Sequence, residues 1–343
     1  MALTITTTAA GPRHALAIAM AMLASVALYA LLFGWVLHKP LSVGTIADYF
    51  SIKTARAAAL PSPKLVFFGG SNVRFGLSCE LAERQTGVPC VNAGFLADVG
   101  IDLMAEKFTP LLHAGDVVYI PLAYEQYLWD RDFVVTQRDA AYLFAYDRAT
   151  LRRMPMVRQL HALFHFDLPY LASAIAENVL AKTGLRRQAG ATRVFGAGNL
   201  NAWGDETGHT AEQGRVFEAL IAATAWKLPP LEDFTPERYF YTQVLEHFIA
   251  SLRARGVVVV GGLVQVADDV VIDPRMIERV RAIYERNGAG FIELPNRSQY
   301  PRSCFFDSVY HLNEECQRRH TAELLQALSP YLPSTDQAGA QRR

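Results

Sequence analysis

Apolar residues fall along this chain in three rhythms. The first is an unbroken run. Ala15 to Leu37 carries no charge over 23 residues, and a helix of that length, rising 1.5 Å per residue, crosses the roughly 30 Å apolar core of a bilayer. Tyr29 and Trp35 lie near its far end and suit an interface. The run is longer than a usual signal-peptide core, and no A-x-A site follows it directly, so it predicts a retained anchor and not a cleaved leader. A buried core helix of this length would show a polar face, and this run has none.

The second rhythm is a series of short apolar runs: Leu65–Phe68, Cys90–Ala93, Val117–Leu122, Val257–Val264 and Phe291–Leu294. Gly, Pro or Asp bounds each one. Each is rich in Val, Ile or Phe, and "GVVVVGGLVQV" is apolar throughout, as a strand covered on both faces should be. The third rhythm has helical spacing. It runs through "SCELAERQTG", "GIDLMAEKFTPLLHAGD", "PERYFYTQVLEHFIASLRARG" and "DPRMIERVRAIYERNGAG". Strands alternating with helices predict a three-layer α/β fold, a parallel sheet with helices on both faces.

These rhythms divide the chain. Residues 1–14 are a short tail, 15–37 the anchor, and 38–63 an amphipathic connector ended by "PSP". Residues 64–332 form the α/β domain, and 333–343 a tail expected to be disordered. Between 130 and 236 the alternation breaks in a segment too long for a loop and mostly helical in pattern, which marks an insertion. From Arg148 to Arg193 it carries eight Lys/Arg against two acids. That is either a basic amphipathic surface near anionic lipid or polymer, or, more commonly, a solvated helix with an apolar core face.

Charge changes little. There are 33 Lys+Arg and 33 Asp+Glu, so no general attraction to nucleic acid is implied. Cys79, Cys90, Cys304 and Cys316 show no CxxC spacing, which argues against a zinc site; no metal and no cofactor is expected. The cysteines fall in two local pairs. Either pair can close in an oxidising compartment, but buried free thiols are the commoner state.

Candidate chemistry begins at "KLVFFGGSNVRFG", Lys64 to Gly76. Ser71 follows a predicted buried strand and precedes a helix, the place where parallel sheets bind ligands. It is either a nucleophile or a helix N-cap. The stretch is not the GxSxG elbow, since Val73 holds the final Gly position, and no P-loop Gly-Lys-Ser/Thr follows. Late in the chain, "FFDSVYHLNEE" carries Asp307 and His311. A nucleophilic serine needs a base, and the base needs an orienting acceptor. Between them, "VNAGFLADVG" places Gly94 after the second strand, where its N–H and that of Ser71 would suit an oxyanion. Taken singly, each is as well read as a cap, a surface pair or a turn. "FGAGNLNAWGDETGHT", Phe195–Thr210, reads either as a polar loop near the site or, more commonly, as a Gly/Asn-rich turn.

Taken together, the order of Ser71, Gly94 and the Asp307–His311 pair resembles the SGNH/GDSL hydrolase superfamily. "GGSNVRFG" is similar to its first block, "NAGF" to its second and "DSVYHLN" to its last, and the likeness covers most of Lys64–Leu328 outside the insertion. The anchor and "DVVYIPLAYEQY" resemble a subgroup that handles surface polymers, including alginate O-acetylation proteins and the protein that moves D-alanine onto teichoic acids.

The resemblance implies an SGNH-like, flavodoxin-like domain on the outer side of the cytoplasmic membrane. It overrides a weak opposite vote from Arg13 before the helix against His38, Lys39, Lys53 and Arg56 after it. It implies acyl transfer by a Ser71–His311–Asp307 triad, with Ser71 and Gly94 in the oxyanion hole. A glycan or other surface polymer would be the acyl acceptor, and a membrane-bound acyltransferase fits as partner.

The chain also departs from the pattern. Gly70 stands where an Asp is usual, the Asp–His spacing is one residue longer than common, and Cys316 replaces a frequent Gly. The third-block Asn has no counterpart in "PLAYEQY"; Asn72, Tyr124 or Gln126 are the candidate substitutes, and Tyr124, Glu125 and Gln126 the candidate substrate contacts. These departures leave open a second class, a catalytically degenerate scaffold or glycan-binding subunit of an export complex.

Overall fold

A computed structural model describes residues 12–36, 43–96, 99–134, 137–164, 168–182 and 196–333. The first eleven residues and the tail from 334 onward lie outside the described residues. All five apolar runs form strands: β1 (Leu65–Gly69), β2 (Cys90–Gly94), β3 (Val117–Leu122), β4 (Val258–Leu263) and, after a small strand β5 (Val266–Ala267), β6 (Gly290–Ile292). A seventh, β7 (Gln299–Tyr300), pairs only with β5. These two-residue strands are too short to show a periodicity in sequence.

The main sheet is parallel throughout, in the order β2-β1-β3-β4-β6. After β1 the chain steps to one side to make β2 and then crosses to the other to make β3. The switch point therefore falls at the carboxyl end of β1, where such sheets open a crevice. Ser71 follows directly.

Helices α1 (Pro12–Val36) and α2 (Gly44–Ala59) precede the sheet. Helices α3 (Ser71–Gly76) and α4 (Cys79–Thr86) join β1 to β2, and α5 (Ile101–Phe108) leads to β3. The insertion holds α6 (Arg131–Val134), α7 (Gln137–Tyr146), α8 (Arg148–Arg153), α9 (Met156–Phe164) and α10 (Leu168–Lys182). Its later part, from residue 196, is largely turns with α11 (Ala211–Gly214) and α12 (Glu218–Ala223). Helices α13 (Phe240–Ala254), α14 (Pro274–Glu285) and α15 (Glu314–Leu328) complete the domain.

Alternation along β1 divides the core. Leu65 and Phe67 pack with Val73 of α3, Cys79 and Ala82 of α4, and Leu324 and Leu328 of α15. Val66 and Phe68 face the other layer, where Phe68 meets Phe108 of α5 and Phe248 of α13 edge-on or tilted. At about 25 cal/mol per Å² of apolar surface, these double-sided strands contribute much of the burial that favours the fold.

Two expectations change in detail. Helix α1 begins at Pro12 and not Ala15; its segment Pro12–Leu32 is long and apolar enough to cross a membrane. Residues 38–63 do not read as a mere connector, because α2 buries Ile46, Tyr49, Phe50, Lys53 and Ala57 in the domain core. The cysteines also differ from the commoner state. Cys79–Cys90 and Cys304–Cys316 are both disulfides.

Candidate active site

Ser71 is the first residue of α3, and the cap position before it belongs to Gly70, with extended backbone. Ser71 is thus not the N-cap that its composition allowed. Its side chain is free of the capping role, and its N–H lies among those a helix leaves unsatisfied at its start. The turn is tight. A Cβ on Gly69 would stand 2.6 Å from Val73 Cγ2, and one on Gly94 would stand 2.3 Å from the Arg74 nitrogen. Glycine at the end of β2 therefore lets α3 lie directly on the sheet.

Asp307 and His311 meet as expected. Asp307 Oδ1 lies 2.6 Å from His311 Nδ1. The carboxylate accepts the Nδ1 proton, which leaves Nε2 as the basic nitrogen. The His311 ring lies over Phe75 of α3, with centroids 4.3 Å apart and planes 22° from parallel. Phe75 is one helical turn beyond Ser71, so the imidazole and the serine share one short helix as their reference. No hydrogen bond joins Ser71 Oγ to His311 among the described residues.

The loop carrying the pair is closed on itself and clamped by residues beyond two strands, β3 and β4. The Cys304–Cys316 disulfide shuts its base. Phe305 and Leu312 form an antiparallel bridge, and Phe306 N donates to His311 O at 2.8 Å. Beyond β4, Gln265 Nε2 donates both to Asn72 O (2.6 Å) and to Tyr310 O (2.7 Å), which ties the serine helix to the histidine loop. Beyond β3, the Glu125 carboxylate accepts the Tyr310 hydroxyl.

Burial lowers the His311 pKa below the usual imidazole value, and Arg74 adds to this; the Asp307 hydrogen bond opposes both. The imidazole is therefore neutral near pH 7, the form a general base requires.

The candidate oxyanion donors fare differently. Gly94 N–H donates to Asn92 Oδ1 at 2.9 Å. Asn72 Nδ2 donates to Pro121 O at 2.6 Å, which pins α3 to the end of β3. The Gln126 amide packs against Gly70, with Nε2 3.3 Å from where a Cβ would stand there. Its Oε1 accepts from Ala123 N and its Nε2 donates to Tyr241 OH at 3.1 Å, leaving a second N–H beside the serine turn. Of the third-strand candidates, Gln126 is thus placed next to Ser71. Tyr124 is buried, its hydroxyl raised in pKa first by burial and then by Glu293, beyond β6.

Sequence reasoning missed the support beneath the site. In "DVVYIPL" and "GVVVVGGLVQV" the apolar character dominated, yet the lone polar residue in the latter, Gln265, makes the clamp. The segment Phe195–Thr210 reads from sequence as a polar loop near the site or, more commonly, as a turn. Asp205 in it is a buried hub: its carboxylate accepts from Cys79 N (2.7 Å), Glu80 N (2.9 Å), Ser78 Oγ (3.2 Å) and Asn92 Nδ2 (3.2 Å). It caps α4 from across the chain and fixes the same Asn92 that holds Gly94. Nearby, Arg74 donates to Tyr49 OH at 2.9 Å, and its Nε lies 3.7 Å from Glu206 Oε2. His209 stands edge-on to Phe75, its pKa pushed down to about 3 by burial and then by His311.

Compared with known proteins, the chain matches no family model and no curated protein. Its functional reading therefore rests on the residues of the site and their geometry. Among the described residues, no group of three or more His, Cys, Asp or Glu is placed to hold a metal ion.

Proposed function

We propose that this chain is a membrane-anchored serine acyltransferase or esterase of the SGNH type. It would add or remove O-acyl groups on a surface or exported polysaccharide. The observation that carries the reading is the Asp307–His311 pair lying on Phe75, one turn from Ser71 at the switch point of the sheet.

In this reading Ser71 Oγ attacks the ester carbonyl as His311 Nε2 takes its proton, and Asp307 orients the imidazolium. The negative oxygen of the tetrahedral intermediate is met by Ser71 N–H, with the second Gln126 N–H and, after releasing Asn92, Gly94 N–H as further donors. Collapse expels the alcohol, which takes the proton from His311 and leaves an acyl-Ser71 ester. Water or a sugar hydroxyl then repeats the sequence in reverse. An apo site often holds its serine–histidine contact loosely until substrate packs against it, which fits the unmade Ser71–His311 bond.

The anchor reading rests on the span Pro12–Leu32. The two disulfides support placing the domain in an oxidising, extracytoplasmic compartment. A membrane-bound acyltransferase that supplies acyl groups fits as partner.

The full chain in detergent, offered an acetyl ester, tests the enzyme reading. Ser71→Ala is expected to abolish turnover, and a serine-reactive phosphonate to label the native chain at Ser71. Unchanged turnover in the variant would sink the reading. A second reading, a degenerate glycan-binding scaffold, is favoured by the occupied Gly94 N–H. It requires glycan binding with no turnover and no labelling.

A further inference from the structure

We infer that helices α9 and α10 of the insertion rest in the lipid interface beside α1, so that the domain is seated on the bilayer and not held on a tether. This inference rests on α1 being the membrane anchor. Its first support is depth. The Tyr29 hydroxyl donates to Leu163 O at 2.6 Å. Tyr29 stands three residues before Leu32, where the 21-residue span Pro12–Leu32 ends, about 4.5 Å along a helix axis, and the apolar run continues beyond it to Leu37. The end of α9 is thus held within one helical turn of the level where the span ends, and α10 packs directly against α1.

The second support is the surface left at that level. Met156, Val157, Leu160 and Leu163 are exposed on α9 at positions i, i+1, i+4 and i+7, one face of a helix. Leu168, at the start of α10, is 78% exposed and Met156 is 76% exposed. The opposite face of α9 is committed inward: Ala162 is buried, and Arg158 pairs with Asp102 and Asp139. The apolar face is therefore continuous with α1, whose apolar side chains are exposed all round and require lipid.

The occupant is lipid, and the test uses the full chain in nanodiscs of phosphatidylcholine and phosphatidylglycerol. The four native cysteines are paired, so a nitroxide attaches at one introduced site. Met156→Cys, Leu160→Cys and Leu168→Cys test the face. Leu23→Cys marks mid-anchor, and Val271→Cys, at an exposed apolar position outside the insertion, marks water. Labels at 156, 160 and 168 are expected to fall between Leu23 and Val271: more relaxed by oxygen and less accessible to a nickel chelate than the label at 271. Labels on the face that behave like Val271 while Leu23 stays protected would overturn the inference and leave the anchor standing. A nickel-accessible Leu23 would overturn the anchor and the inference together. Labels on the face shielded from both reagents would mean protein contact with a second copy, and would also overturn it.

Discussion

The imidazole of His311 lies on the ring of Phe75, with centroids 4.3 Å apart. Phe75 is fully buried, so it serves both the core and the base. Phe75→Ala is expected to cost about 3–5 kcal/mol of stability, as other buried aromatic truncations do. Phe75→Leu keeps most of the volume but loses the flat support. It is expected to lower kcat for an acetyl ester more than it raises KM, with a much smaller loss of stability. Equal kcat in Phe75→Leu and the native chain would show that the ring does not position the base.

The pH profile follows from the same pair. The base must be neutral, and burial holds the His311 pKa below the usual value near 6.5. The acid limb of kcat/KM is therefore expected below that value, with activity lost as pH falls through it. Asp307 raises the pKa of His311, so Asp307→Asn should move the limb to still lower pH. It should also reduce kcat by up to about 10⁴-fold, because the tautomer is no longer held. A limb that moves to higher pH in this variant would contradict the assignment.

The Cys304–Cys316 bond closes the loop that carries both Asp307 and His311. In the chain-entropy view, closing a loop of this size stabilises by about 3 kcal/mol. Cys304→Ser with Cys316→Ser is expected to lower ester turnover under conditions where circular dichroism still reports a folded domain. The equivalent pair at Cys79 and Cys90, which ties α4 to β2, should affect thermal stability more than kcat. Equal effects of the two double variants on turnover would argue against a local role for the late disulfide.

Lys53 gives a stability signature independent of the catalytic reading. It is wholly buried, with Nζ donating to Asn92 O (2.7 Å) and Gly204 O (2.5 Å), and burial, then Arg74, lowers its pKa to about 7. Unfolded, it keeps its proton to about 10.4. Between these values the unfolded chain binds more protons than the folded one, so stability rises with pH from about 7 toward 10. Urea unfolding of the full chain in detergent at pH 7, 8 and 9 should show that rise, and Lys53→Met should flatten it. The same slope in the variant would assign the effect elsewhere.

The five strands were legible because each is a short apolar run bounded by turn residues; β1, β2 and β3 are buried at every position, while β6 is only partly buried. Ser71, Asp307 and His311 were legible as a spaced set. Composition allows Ser71 a cap role, which the backbone of Gly70 takes instead. Gln265 and Asp205 were not legible because their partners are distant in sequence: 193 residues separate Gln265 from Asn72, and 113 separate Asp205 from Asn92. Local periodicity carries no trace of such pairs. The stretch that forms α2 was legible only as an amphipathic connector; which layer its apolar face joins is set by Phe95 and Tyr142, whose rings meet Phe50.

The Asp205 cap has a consequence for how the chain is made. The first turn of α4 needs its orphan N–H groups satisfied, and the carboxylate that accepts from Cys79 N lies 126 positions further on. While the ribosome has delivered β1, α4 and β2, that acceptor does not yet exist. The N–H groups of Cys79 and Glu80 are therefore left to water until the insertion has been synthesised through residue 205. Contacts of such long sequence separation slow folding. The interval before Asp205 arrives is therefore when the start of α4 and the Asn92 side chain of β2 are least held.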